Sequence, residues 1–140
     1  MKKLLAFYIF LPVLSFAQPA ADILIKNGKI IDGTGNSWYY ADVAVKDGKI
    51  IAIGKNLAAN SVKTIDAKGL IVAPGFIDVH GHIESGIFER PTAENYIYDG
   101  VTTVITGNCG GSASDINKFF LRIDSLKPSI NVATLIGHNT

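Results

Sequence analysis

At 140 residues the chain has the length of about one domain, and its 48% hydrophobic and 18% charged residues exclude a disordered tail. A formal net charge of +1, with Lys and Arg scattered singly, offers no basic footprint for DNA or RNA. A single cysteine, Cys109, excludes an internal disulfide framework.

The first element reads as an export signal rather than as fold. Lys2 and Lys3 form a positive head, Leu4 to Leu14 an apolar run interrupted by Pro12, and Ser15-Phe16-Ala17 a small-x-small cleavage site. That run is well short of the roughly 20 apolar residues that cross a bilayer as a helix. Residues 1–17 are therefore expected to be a signal peptide. The mature protein, with no stable membrane anchor after cleavage, is expected to be periplasmic or extracellular. Its loss of two lysines takes the net charge to −1.

Beyond Gln18-Pro19 come short strands punctuated by turn pairs. Ile23 to Ile25 leads to Asn27-Gly28 and then Lys29 to Ile31, while Val43 and Val45 lead to Asp47-Gly48 and then Lys49 to Ile53. Asn, Asp and Gly tolerate positive φ, so both pairs predict tight hairpin turns. The two stretches nearly repeat, Lys26-Asn27-Gly28-Lys29-Ile30-Ile31 against Lys46-Asp47-Gly48-Lys49-Ile50-Ile51, which reads as hairpin duplication in a small sheet. Residues 18–72 are expected to form one half of a small antiparallel β domain.

From Leu70 the pattern changes. Phe76-Ile77-Asp78-Val79 reads as a buried strand ending at His80, Pro91 to Tyr98 as a short helix with Pro91 in its first turn, and Val101 to Ile105 as a β-branched strand. Ser114 is the expected N-cap of the clearest helix, whose apolar stripe is Ile116, Phe119, Phe120, Ile123 and Leu126; Pro128 stops it, and a third strand spans Ile130 to Ile136. Strand, helix, strand, helix, strand predicts parallel pairing through crossover helices. The fold class is thus α/β, with residues 73–140 supplying the first three strands of a (β/α)8 TIM-like barrel, an architecture of roughly 250 residues.

In such a fold, sites gather at the carboxyl ends of the strands. His80-Gly81-His82 lies where the first of these strands runs out, and Gly81 makes a kink between two imidazoles inexpensive. His-x-His is common in itself and reads either as two ordinary loop histidines, or one packed and one exposed, or as a metal-binding pair; its position after a hydrophobic strand puts the two readings on a par, with zinc the natural partner of neutral imidazole. Cys109 follows the neighbouring strand in a polar, glycine-rich loop, which favours a thiolate ligand over an apolar filler. Glu84 and Glu89 read either as solvated acids or as carboxylates reaching the pocket to orient an imidazole or meet substrate. His138 either lines the same mouth or braces its loop, and Asp78, two residues before His80, could buttress the strand end. A nucleotide-binding reading fails, because no Gly-x-Gly-x-x-Gly follows a strand and opens a helix.

The segments Asp22 to Gly28, Ile31-Asp32-Gly33-Thr34-Gly35 and Asp66 to His82 resemble the metal-dependent amidohydrolases. Gly100 to Gly110, with its Asn108-Cys109-Gly110, and Gly137-His138-Asn139-Thr140 resemble, more narrowly, the N-acyl-D-amino-acid deacylases (D-aminoacylases). The resemblance implies His80, His82 and Cys109 as ligands of one or two zinc ions, and Gly137-His138-Asn139-Thr140 looks like that family's third-strand ending. It implies hydrolysis of a small N-acylated D-amino acid, or a related D-configured acyl or peptide substrate, by metal-activated water. The remaining ligands and the general base are then expected beyond residue 140, so that this segment alone would be inactive. Ile83 and Glu84 stand where that family commonly has Asp residues. The alternatives are a cyclic-amide or peptide hydrolase on the same scaffold and, were residue 140 the natural end, a noncatalytic metal-binding fragment.

Overall fold

Asn27 sits at φ 62°, and the first strand bends there without reversing. In the computed structural model, which describes residues 21–58 and 60–140, β1 runs unbroken over Ala21–Ile30. The export-signal segment lies outside the described residues. One residue of β1 is extra against β2 (Tyr39–Lys46) between the pairs Ile25↔Val43 and Gly28↔Ala41, which makes Lys26-Asn27 a bulge opposite Asp42 and corrects the hairpin expected at Asn27-Gly28. The carboxylate of buried Asp42 accepts from the Asn27 N–H (2.8 Å) and the Leu57 N–H (3.0 Å), and Asn27 Nδ2 donates to Asp66 Oδ1 (2.9 Å). At Asp47-Gly48 the hairpin does form. Both residues have positive φ, as a two-residue primed turn requires, and β3 (Lys49–Gly54) pairs antiparallel with β2.

On its other side β1 pairs in parallel with β4 (Ser61–Asp66) along its first half and with β5 (Ile71–Val72) along its second. The sheet is therefore mixed, in the order β3-β2-β1-β4 with β5 beside β1. The bulge lies where β1 changes partner, and Gly28 is required there, since an added Cβ would stand 2.6 Å from Val72 Cγ2. Alternation sends Leu24 and Ala44 into one small apolar cluster and Ile30, Ala41 and Val43 into another.

The chain divides between Ala73 and Pro74 into two compact units. The second contains a parallel sheet, β6-β7-β8, of β6 (Phe76–Asp78), β7 (Val101–Thr106) and β8 (Asn131–Thr134). Two four-residue helices, α1 (Gly86–Glu89) and α2 (Glu94–Ile97), lie between β6 and β7, and α3 (Ile116–Leu126) lies between β7 and β8. Pro91 is not helical: Ala93, buried and at φ 46°, precedes α2, so the expected helix is shortened to Glu94–Ile97 and begins after a turn. The α3 stripe holds, and Phe119 and Ile123 pack with Ile83, Ile87, Ala93, Val104 and Ile130 in one core. Its N-cap is Asp115 rather than Ser114, the carboxylate accepting from the Lys118 N–H at 2.9 Å. This α/β arrangement, a mixed sheet and then a parallel βα succession, is consistent with the start of a TIM-barrel-like fold.

Candidate metal centre

Parallel pairing of β6 with β7, in the register Asp78↔Val104, brings the loops beyond their carboxyl ends side by side. The close approach is made by backbone. The Gly81 N–H donates to Ile105 O at 3.0 Å, and a Cβ on Gly81 would collide with the fully buried Val104 side chain. Gly81 is thus needed for contact with β7, a different requirement from the kink expected of it. Asp78 accepts from the His80 N–H at 3.0 Å and braces the strand end, as its position suggested.

Side chains then tie one loop to the other. Glu84 Oε1 accepts from the Gly107 N–H (3.0 Å), and Asn108 Nδ2 donates to Ile105 O (2.9 Å) and Gly81 O (3.3 Å). Between these ties Cys109 takes a left-handed conformation, φ 56°, flanked by Gly107 and Gly110 at positive φ. Its Sγ lies 3.3 Å from His80 Nε2 and 3.9 Å from His82 Nε2. One donor atom from each of the three residues lies within 4.8 Å of the others, and all three side chains are exposed.

These spacings suit one ion. Zn–N bonds near 2.0–2.1 Å and a Zn–S bond near 2.3 Å, set tetrahedrally, place N and S about 3.5 Å apart, between the two observed separations. Imidazole nitrogen and thiolate sulfur, the forms in which such side chains ligate, also match zinc in softness.

The other predicted residues divide. Burial would raise the Glu84 carboxyl, but the Thr106 hydroxyl, the backbone N–H groups of Glu84 itself and Gly107, and the charge of His82 outweigh it, holding the group below the usual carboxylate range. Glu84 therefore acts as an ionised strap between loops. Glu89 is exposed at the end of α1. His138 lies against Gly110, where a Cβ would be 3.1 Å from its Cε1, but its ring is outside the three-donor group. The loop beyond β8 is itself held to the cysteine loop, Asn139 N–H donating to Gly110 O (2.9 Å) and Ser112 N–H to Thr140 Oγ1 (2.9 Å). Asn108 was assigned no role from sequence; its position directly before the candidate thiolate ligand was the only signal. Tyr96 was missed as well. Burial and then the charges of Asp78 and Glu84 push its phenol up, so it remains a protonated donor.

Known proteins place this geometry in a family. Residues 63–118 match the Amidohydrolase family, and residues 13–76 match the Urease alpha-subunit, N-terminal domain. The N-acyl-D-glutamate deacylase of Alcaligenes xylosoxydans xylosoxydans is 36% identical over 143 aligned positions, covering 86% of this chain and 29% of that protein. The D-aminoacylase of the same organism is 34% identical over 149, covering 90% and 31%. The crystal structure of N-acyl-D-glutamate deacylase from Bordetella bronchiseptica, complexed with zinc and a phosphonate mimic of the tetrahedral intermediate, superposes with a TM-score of 0.82 at 40% identity, covering 86% of this chain and 30% of that one. The chain thus spans about three-tenths of the length of the curated relatives it matches. By sequence and by fold alike, it belongs to the metal-dependent amidohydrolase superfamily and, within it, to the D-aminoacylase/N-acyl-D-amino-acid deacylase family.

Proposed function

We propose that the protein hydrolyses the amide bond of N-acyl-D-amino acids, with His80, His82 and Cys109 holding zinc. The observation that carries this reading is the convergence of two imidazoles and one thiol from adjacent strand-end loops. Zinc, when bound, supplies Lewis-acid polarisation of a carbonyl and a water nucleophile active near neutral pH. The chain's own contribution is preorganisation: Asp78 fixes the His80 backbone, Asn108 and Glu84 lock the two loops in register, and Gly81 allows them to touch. The relatives named above, which act on N-acyl-D-amino acids, support the substrate class.

Metal analysis of the full-length protein and its Cys109→Ala variant, with deacylase activity measured in parallel, tests the assignment. The variant is expected to lose bound zinc and at least about 100-fold in kcat/KM. Unchanged metal content and rate would overturn it, and preferential opening of a cyclic amide would move the protein to a ring-hydrolysing branch. We further propose that the protein is exported, on the strength of Lys2-Lys3, the Leu4 to Leu14 run and Ser15-Phe16-Ala17; cell fractionation with N-terminal sequencing checks this.

A further inference from the structure

Beside His82 is a pocket of about 290 Å³ in which an apolar floor meets a polar wall. The floor includes Ile83 and Ile87, both buried in the core of the second unit, and the wall consists of Arg90, Asn95 and Tyr96. None of the residues lining it is acidic, although the charges of Asp78 and Glu84 reach Tyr96 from the side facing Gly81, and Arg90 makes no ion pair among the described residues. The Arg90 backbone is pinned on both sides, its N–H donating to Gly86 O (3.0 Å) and its carbonyl accepting from the Ala93 N–H (3.1 Å). Tyr96 reaches from this wall toward the metal centre, its Oη coming within 3.5 Å of where a Gly81 Cβ would stand.

We propose that this pocket is a carboxylate-binding subsite, with Arg90 as its charge and Asn95 and Tyr96 as neutral donors. A guanidinium fork matches a carboxylate in geometry and charge, and Arg90 and Asn95 are both exposed and so open to an incoming carboxylate. The volume suits one short arm of a substrate rather than a drug-sized ligand. Because the pocket adjoins His82, a substrate whose amide lies at the three donors would extend a carboxylate into it. That carboxylate could be the α-carboxylate common to all N-acyl-amino acids or the side-chain carboxylate of an acidic one. The inference rests on the deacylase reading and goes beyond it by naming the residues that read the substrate.

Three substrates separate the two sources: N-acetyl-D-glutamate, with both carboxylates; N-acetyl-D-glutamine, with the α-carboxylate alone; and N-acetyl-D-isoglutamine, with the side-chain carboxylate alone. kcat and KM are measured for the full-length wild type, Arg90→Gln and Arg90→Lys, with zinc content determined for each. Loss of a charged hydrogen-bond pair predicts a fall of about 10- to 100-fold in kcat/KM for Arg90→Gln. If the pocket holds the α-carboxylate, glutamate and glutamine derivatives suffer the fall and isoglutamine is spared. If it holds the side chain, glutamate and isoglutamine suffer and glutamine is spared. Either pattern, with zinc content unchanged and partial recovery in Arg90→Lys, supports the subsite. Equal loss on all three substrates, or no loss on any, overturns it while leaving wild-type turnover intact. Failure of the zinc-loaded wild type on all three sinks the deacylase reading itself, a result distinguishable from the others.

Discussion

Single side chains carry much of the order in both sheets. Asn27 ties β1 to β2 through Asp42 and to the end of β4 through Asp66. The hydrogen bond from Asn27, helped by the Lys68 N–H and the charges of Lys68 and Lys26, holds the Asp66 carboxyl below its ordinary 3.8 despite a small opposing effect of burial. Because the folded value is the lower one, this tie contributes fully above the unfolded value and is lost as pH falls through the folded one. Asn27→Gly keeps the positive φ and removes the side-chain donor, so NMR titration should show the Asp66 midpoint rising toward 3.8 with the fold intact. The same residue shows what sequence could and could not reveal. Lys26-Asn27-Gly28-Lys29 and Lys46-Asp47-Gly48-Lys49 are nearly identical, and local turn chemistry reads both as hairpins. Only the second reverses the chain; at the first, β1 runs on to pair in parallel with β4 and then β5, a non-local pairing that no local pattern announces. At the candidate metal centre, strand-end position is what points to His80, His82 and Cys109, whereas nothing local points to the Asn108 tie to Gly81, 27 residues distant. Asn108→Ala should weaken zinc binding, by about 10- to 100-fold, with a smaller effect on Tm; competition with a zinc chelator measures it.

Among the elements, α3 was the most legible because its apolar stripe spans eleven residues, enough for a period to show. Its start was misplaced by one residue, since Ser114 and Asp115 are both good caps and only the chain's path selects Asp115. Asp115→Ala should cost about 1 kcal/mol of stability in denaturant unfolding, most of it from the lost cap, because the Lys118–Asp115 ion pair is solvent-exposed and contributes little. At the other end Lys127 caps the helix at φ 51°, a conformation glycine adopts without a Cβ clash. Lys127→Gly should therefore be neutral or stabilising by up to about 1 kcal/mol, in contrast to the loss glycine causes inside a helix. The four-residue helices α1 and α2 are too short for any period to register. Their positions are set instead by burial of Ile87 and Ala93 and by the left-handed turn at Ala93, which is why Pro91 misled.

For the whole molecule, the order β6-β7-β8 was readable because alternating strands and helices leave few topologies. It also fixes what the second unit needs. Within the described residues β6 and β8 are both edge strands, and Phe76, Ile77, Val79, Leu135 and Ile136 are exposed beside or within them. In a closed barrel, neighbouring strands would saturate both edges and inward-facing residues would be packed. Residues 18–140 expressed alone should therefore bind a dye such as ANS and associate as concentration rises, since unpaired edges and exposed apolar side chains recruit other chains. The three donors come from one unit and are held by contacts within it, so zinc binding should persist in this segment, more weakly than in the full-length protein. Deacylase turnover should be absent even with zinc added, because three donors without a base or the rest of the mouth leave the transition state without preorganised partners. Sedimentation, dye binding, zinc titration and an assay with N-acetyl-D-amino acids check the four parts separately. A monomeric segment that turns over substrate would show that the first three strands already contain a working site.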